Sequence, residues 1–344
     1  MAAVMQSLLV SPLADRYRLD VIVTYSTPRR LARVLVFVRA LAALTRFCLG
    51  PGARIVHVHT TVRGSLHRKS VCVALAKVLR RPVILHVHSG VGDLAAFAER
   101  IGPIRHKLFA GAFAAADRVL SVSAAGAVEV QRRFGRAGIE VVPNPAPVVV
   151  IGGPDFDGDG PRPDAVEALY LGGFANPVKG WSVLLEALPQ IAAGPGEAPR
   201  VVLAGPGDPP AGSEAILAAP GVRWAGWLDT DQKARALRRS EIFILPSTSE
   251  GLPVALLEAM AYGRAIVASR AGGVPEVVTD GVDAVMVPPG DATRLADAVC
   301  ALAADPIRRA QLGRAARERA ARLNEEEVSG RLDDIYRELA PGGR

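Results

Sequence analysis

Two carboxylates eight positions apart, Glu250 and Glu258, bracket the apolar run GLPVALL inside PSTSEGLPVALLEAMAYG. A carboxylate set among Ala, Leu and Met is costly to bury unless it holds a partner. Before it, EIFILP reads as a buried strand and STSEG as a loop. LPVALLEAMAYG then reads as a helix, with Pro253 suited to its first turn and Gly263 to its C-cap. Such a loop, running from the carboxyl end of a strand into a helix start, aims the backbone N–H groups of Gly251, Leu252 and Val254 at an anion. The chemistry that fits is a diphosphate on the helix end, sugar hydroxyls on Glu250 and a ribose diol on Glu258. The alternative is that Glu250 caps the helix and Glu258 lies on its wet side.

Other residue groups bear on the same chemistry. Lys179, in NPVKG, is a strong point charge for phosphate, or else an exposed lysine ahead of the helix GWSVLLEAL. Two His-Val-His runs place His57 with His59 and His86 with His88. On one strand the side chains of such a pair point the same way, so two metal ligands are conceivable, but no third Cys or carboxylate is nearby in sequence. No metal is therefore expected. DFDGDG imitates the start of a calcium loop at Asp155, Asp157 and Asp159, yet its twelfth position is Val166, not an acid. GPG at 205–207 is too short for a dinucleotide fingerprint.

These residues need a scaffold, and the strand pattern supplies one. DVIVTY (20–25), RIVHVH (54–59), PVILHVH (82–88), RVLSVS (118–123) and IEVV (139–142) read as strands buried on both faces, separated by segments long enough for crossover helices. GGPDFDGDGPRPD (152–164) interrupts as a linker. The alternation then restarts with EALYLG, RVVLAG, VRWAG, EIFILP, AIVAS and AVMVPP. Asp291 and Asp305 read as the N-caps of two C-terminal helices. The expected fold class is α/β, with two Rossmann-like, doubly wound parallel-sheet domains facing a cleft. The expected bounds are 1–150 for the first domain, 151–165 for the linker and 166–325 for the second domain. The last segment, 326–344, is a helix that returns to the first domain.

Composition narrows the setting. The 344 residues exceed one ordinary core. Three scattered cysteines, Cys48, Cys72 and Cys300, form neither a disulfide framework nor a metal motif, which points to a reducing cytoplasm. No apolar run reaches the roughly 18 residues of a membrane span, because Arg39 and Arg46 interrupt the best candidate. Residues 1–150 carry 21 Lys and Arg against 7 Asp and Glu, whereas the rest carry 20 against 27. The basic half is expected to face an anionic membrane surface, through Arg29, Arg30 and Arg33 and through Arg63, Arg68 and Lys69, or else to be a solvated surface without a partner. Sparse aromatics and the lack of any nucleic-acid signature argue against nucleic acid.

From Tyr170 to Asp291 the chain resembles a glycosyltransferase family 4 enzyme of the GT-B fold, with Glu250 and Glu258 standing at that family's E-x7-E signature. The N-terminal half matches through RPVILHVHSG, ADRVLSVS and VVPNP. The resemblance is strongest to bacterial exopolysaccharide and cell-surface glycan transferases, and it implies a retaining, metal-independent hexosyltransferase. Its donor would be a nucleotide-diphosphate sugar and its acceptor lipid-linked or a glycan. It would act in the cytoplasm, peripheral on the inner face of the membrane. Residue by residue, it implies that Glu250 contacts the donor sugar, Glu258 the ribose, and Lys179 with Gly251, Leu252, Pro253 and Val254 the diphosphate. Gly172 would lie in the donor loop, Gly226 and Trp227 at the nucleobase, and His88 near the transferring sugar. No cofactor is implied. Two departures stand out: Gly173 occupies the place of the family's arginine, and the chain opens at the helix AAVMQSLLVSPL rather than at a strand and Gly-Gly loop. They raise the alternative of a nucleotide-sugar-binding protein that is non-catalytic or impaired.

Overall fold

The computed structural model describes all residues except 1, 26–29, 63, 148–164, 195–197 and 341–344. The linker stretch, Asp155, Asp157, Asp159, Arg29 and Arg63 therefore lie outside the described residues. The chain divides into two compact units, residues 1–145 with 325–344 and residues 146–324.

The first unit is built on four parallel strands in the order β1-β2-β3-β4, namely β1 (Val56–Thr60), β2 (Val83–Val87), β3 (Arg118–Ser121) and β4 (Glu140–Val141). Alternation along these strands sorts the side chains to two faces. Val56, Val58, Val83, Leu85, Val87 and Val119 pack with Leu44, Leu66, Phe109 and Phe113 of the covering helices. Ile84, Leu120 and Val142, on the opposite face, pack with Val328, Leu332, Ile335 and Tyr336 of the helix Glu325–Leu339. That C-terminal helix is pinned by Asp333, buried at 3% exposure. Its carboxylate accepts from the Tyr17 hydroxyl at 2.7 Å, pairs with Arg337 at 2.7 Å and also pairs with Arg16.

Burial alone would raise the Asp333 carboxyl, but the Tyr17 hydroxyl and the charges of Arg337 and Arg16 hold it below its ordinary value. A carboxylate with a depressed folded pKa stabilises the fold above its unfolded pKa, and the benefit fades as pH falls through the folded value. Asp333→Asn is expected to cost about 1–3 kcal/mol near neutrality in denaturant unfolding, the difference from wild type shrinking below about pH 4.

The expected strand DVIVTY does not form. Residues 17–23 are irregular, and Val21, Val23 and Tyr25 are exposed. A strand needs a ladder partner for its N–H and C=O groups, and this stretch pairs with none of the described strands. Tyr17, Leu19 and Ile22 pack against the core.

The second unit holds β5 (Glu167–Tyr170), β6 (Arg200–Leu203), β7 (Val222–Trp224), β8 (Ile242–Leu245), β9 (Ala265–Ser269) and β10 (Val285–Val287). They form one parallel sheet in the order β10-β9-β8-β5-β6-β7. The chain builds outward from β5 to β7, then returns to place β8 on the other side of β5. The β5/β8 boundary is thus a topological switch point, where the loops at the carboxyl ends diverge and leave room for a ligand. The expected caps are in place, with Asp291 accepting from the Arg294 N–H and Asp305 from the Arg308 N–H, each at 2.8 Å. Among the described residues, no helix is long and apolar enough to cross a membrane.

Candidate active site

The sequence-predicted residues of the second unit all lie on segments that leave the carboxyl ends of its strands. After β5 the chain makes the loop 171–176 and a 3-10 turn, Pro177–Lys179. After β8 it makes the loop Pro246–Leu252 and enters the helix Val254–Ala261. The two loops are joined by the Thr248 N–H, which donates to the Val178 carbonyl at 2.9 Å. Gly180 permits this approach. Its φ is +73°, and a Cβ there would stand 1.9 Å from the Pro246 carbonyl oxygen.

Lys179 and Glu250 meet at this junction. The Lys179 ammonium donates to both carboxylate oxygens of Glu250, at 2.8 and 3.0 Å. The Ser247 hydroxyl donates to Glu250 Oε1 at 2.7 Å. Glu250 is buried at 5% exposure, whereas the Lys179 side chain keeps about a third of its surface. The carboxylate is thus satisfied and fixed, and the ammonium it orients still reaches solvent. Gly272, with φ +53°, lies beneath it, since a Cβ there would be 1.9 Å from the Glu250 carbonyl oxygen. Neither Ser247 nor Gly272 was singled out from the sequence. The Ala-Gly-Gly stretch after AIVAS is the signal for Gly272, because paired glycines after a strand mark a close backbone approach.

Tyr170 holds the other loop from below. Its buried hydroxyl donates to the Gly173 carbonyl at 2.9 Å and lies 3.3 Å from that of Lys179. Burial, seconded by the Glu250 charge, pushes this phenol well above its ordinary pKa, so it remains a donor. Gly172 sits directly over the ring, where a Cβ would be 2.1 Å from the hydroxyl oxygen. Gly173 is also constrained. Its φ is +59°, its N–H donates to the Ala204 carbonyl at 2.9 Å, and a Cβ would fall 2.4 Å from the Pro206 carbonyl oxygen. The position that lacks the family's arginine is thus a turn in which this backbone admits only glycine.

The next strand end continues the row of loops. The Gly205 N–H donates to the Gly226 carbonyl at 2.9 Å, and Trp227 follows with 72% of its surface exposed. Gly251, Leu252 and Pro253 are buried. Pro253 stands at the N-cap rather than inside the first turn, and its side chain makes no capping hydrogen bond. Glu258, on the same helix, pairs with Lys233 from the helix Thr230–Arg239, and its side chain is 13% exposed. It therefore does not lie on a wet face. Lys233 carried no sequence signal beyond its place in an ordinary capped helix, DTDQKARAL.

His88 belongs to the first unit, where it follows β2. Its N–H backbone group donates to the Thr60 carbonyl at 2.9 Å. Its ring bridges Asn144 Oδ1, 3.2 Å from Nδ1, and His59 Nδ1, 2.9 Å from Nε2. Burial, and after it the neighbouring His86, pushes His88 well below the ordinary imidazole pKa. The ring is therefore neutral near pH 7, able to exchange hydrogen bonds but not to bring charge.

Two family models account for these two units. Residues 7–148 match Glycosyltransferase Family 4, and residues 165–305 match Glycosyl transferases group 1. These two regions are glycosyltransferase domains of those families, and the fold is that of the GT-B glycosyltransferases. It is similar to the phosphatidyl-myo-inositol mannosyltransferase of Mycobacterium leprae, 32% identical over 51% of this chain and 47% of that protein. It is also similar to the alpha-maltose-1-phosphate synthase of Mycobacterium tuberculosis, 40% identical over 33% of this chain and 31% of that protein. The chain spans about half the length, or less, of the curated relatives it matches. In fold it resembles the sucrose-phosphate synthase of Thermosynechococcus elongatus, at TM-score 0.73 and 23% identity over 92% of this chain and 80% of that one. The Anabaena HepE structure in complex with UDP-glucose superposes at TM-score 0.67, with 16% identity over 96% of this chain and 88% of that one. Two all-parallel sheets, each with helical crossovers, are the shared architecture.

Proposed function

We propose that this glycosyltransferase transfers a hexose from a nucleotide-diphosphate sugar to a lipid-linked or glycan acceptor, with retention and without a metal at the diphosphate. The observation that carries the reading is the Lys179–Glu250 pair at the β5/β8 switch point, beside a helix start with Pro253 at its N-cap. A diphosphate there draws the one-third-exposed ammonium toward its oxygens, and the helix end adds its partial positive charge. Glu250, relieved of part of that contact, accepts from sugar hydroxyls. Glu258 grips the ribose, and Trp227 offers a flat face to the base.

The pair contains no carboxylate free to attack the sugar, since Glu250 is held by Lys179 and Ser247. The chemistry that suits it is front-face displacement. The bond from the anomeric carbon to the departing phosphate oxygen breaks, the acceptor oxygen bonds to that carbon on the same face, and the acceptor proton passes to the phosphate. Catalysis then rests on stabilising the leaving diphosphate as it gains charge. The acceptor side is assigned to the basic first unit, whose Ile104 and Leu108 stand exposed beside Arg105 and Lys107, a composition suited to an anionic membrane surface in cell-surface polysaccharide synthesis.

The test is transfer from a panel of nucleotide-diphosphate hexoses to a lipid-extract acceptor, with the product anomer assigned by NMR. Product with the donor's anomeric configuration is expected, and inversion would refute the mechanism. Glu258→Ala is expected to weaken donor binding by about 10- to 100-fold with a much smaller change in kcat, since the ribose contact serves ground and transition states alike. A second reading, donor binding without turnover, rests on Gly173 in place of the second phosphate cation. Saturable donor binding with no product from any acceptor would favour it.

A further inference from the structure

Beneath the C-terminal helix the first unit holds a cluster of imidazoles that the transfer chemistry does not use. His57 and His59 alternate with Val56 and Val58 along β1, so both point to the same face of the sheet. The register that pairs His59 with His86 on β2 adds a third ring beside them. One nitrogen of each ring, for His57, His59 and His86, lies within 4.8 Å of the others. Pairing between strands 27 residues apart supplies the third ligand that neighbouring sequence lacked.

The hydrogen bonds of the cluster assign the protons. The His86 Nε2 lies 3.1 Å from the Val142 carbonyl, which can only accept, so Nε2 carries the proton and Nδ1 a lone pair. His88 Nδ1 faces the Asn144 amide oxygen and donates to it, which makes His88 Nε2 the acceptor of the proton on His59 Nδ1. His59 Nε2 is then bare. The His57 Nδ1 meets the Tyr336 hydroxyl, a group that both donates and accepts, at 2.7 Å; in the tautomer in which Nδ1 donates, Nε2 is bare as well. His86 Nδ1 and His57 Nε2 are buried and have no hydrogen-bond partner among the described residues. Bare nitrogens buried side by side without donors are costly in a purely structural cluster.

We propose that His57 Nε2, His59 Nε2 and His86 Nδ1 bind one divalent transition-metal ion of the zinc class. Three neutral imidazoles are ligands of the type that such an ion takes, with a fourth position open to water. The outer contacts have the usual form, each ring donating its other N–H to a carbonyl, a hydroxyl or a further imidazole. Modest ring rotation closes the triangle, because nitrogens about 2.0–2.1 Å from one ion stand closer together than the present spacing. The ion would cross-link β1 and β2 and, through Tyr336, the C-terminal helix, and it would fix the His59 ring that orients His88. It is separate from the diphosphate chemistry of the second unit.

The probe is Co2+ titrated into the chelator-treated full chain, followed by visible absorption and stoichiometry. One Co2+ per chain, with the intense bands of a four-coordinate site and displacement by Zn2+, is expected. His57→Gln and His86→Gln should each weaken binding at least about 100-fold, and the milder Tyr336→Phe about 10-fold. Failure of the folded wild-type chain to take up Co2+ would overturn the site whether or not the variants fold. Undiminished binding in folded His86→Gln would overturn it too, by placing the ion on other histidines such as His67 or His106.

Discussion

Lys179→Ala is expected to lower kcat by about two to three orders of magnitude, the usual effect of removing one preorganised donor from a developing negative charge. The ammonium is the charge held at the switch point by Glu250, and the charge on the leaving diphosphate grows as the glycosidic bond breaks. The loss should therefore fall more on kcat than on donor affinity. Stability should fall as well, because Glu250 is buried and among the described residues would keep Ser247 as its one side-chain partner. With Lys179 one-third exposed, that cost is discounted to about 1–3 kcal/mol. Steady-state kinetics on the folded fraction, quantified by circular dichroism, separates the two effects. Full turnover in a folded Lys179→Ala protein would remove the lysine from the chemistry.

Gly173→Arg, which restores the family's residue, is expected to destabilise the second unit rather than to improve turnover. The position has φ +59°, where a side chain costs about 1–3 kcal/mol in backbone strain. In addition, the new Cβ would meet the Pro206 carbonyl oxygen at 2.4 Å and the Pro206 nitrogen at 2.5 Å. Both are backbone atoms and cannot rotate away. The total should reach several kcal/mol, visible as a lower urea midpoint with an unchanged slope. A variant as stable as wild type with faster turnover would show that the loop accepts the arginine and that Gly173 marks an impaired enzyme.

The sheet strands were legible wherever burial on both faces left an uninterrupted Val, Ile and Leu run, as in EIFILP and AIVAS. The same composition misled at DVIVTY, because an apolar run becomes a strand only if a neighbour completes its ladder, and pairing is decided by the whole topology. Glu250 and Glu258 could be found because carboxylates inside an apolar helix-and-loop segment conflict with burial. Their cations were harder. Lys179 stood out through the resemblance, whereas Lys233 pairs with Glu258 across 25 residues and lies in a helix whose pattern is only that of a capped surface element. The histidines show the limit most plainly. The two HVH runs were visible, but the contact of His86 with His57 and His59 depends on the register of β1 against β2, which no local pattern encodes.

Calorimetric titration of nucleotide-diphosphate sugars into wild type, Lys179→Ala and Glu258→Ala measures whether the Lys179–Glu250 junction holds the diphosphate of a sugar nucleotide. One site per chain is expected for at least one donor, with affinity reduced in both variants and the nucleoside monophosphate less sensitive to Lys179 than the diphosphate. Donor binding of equal strength in all three proteins, or no binding of any donor to wild type, would contradict it.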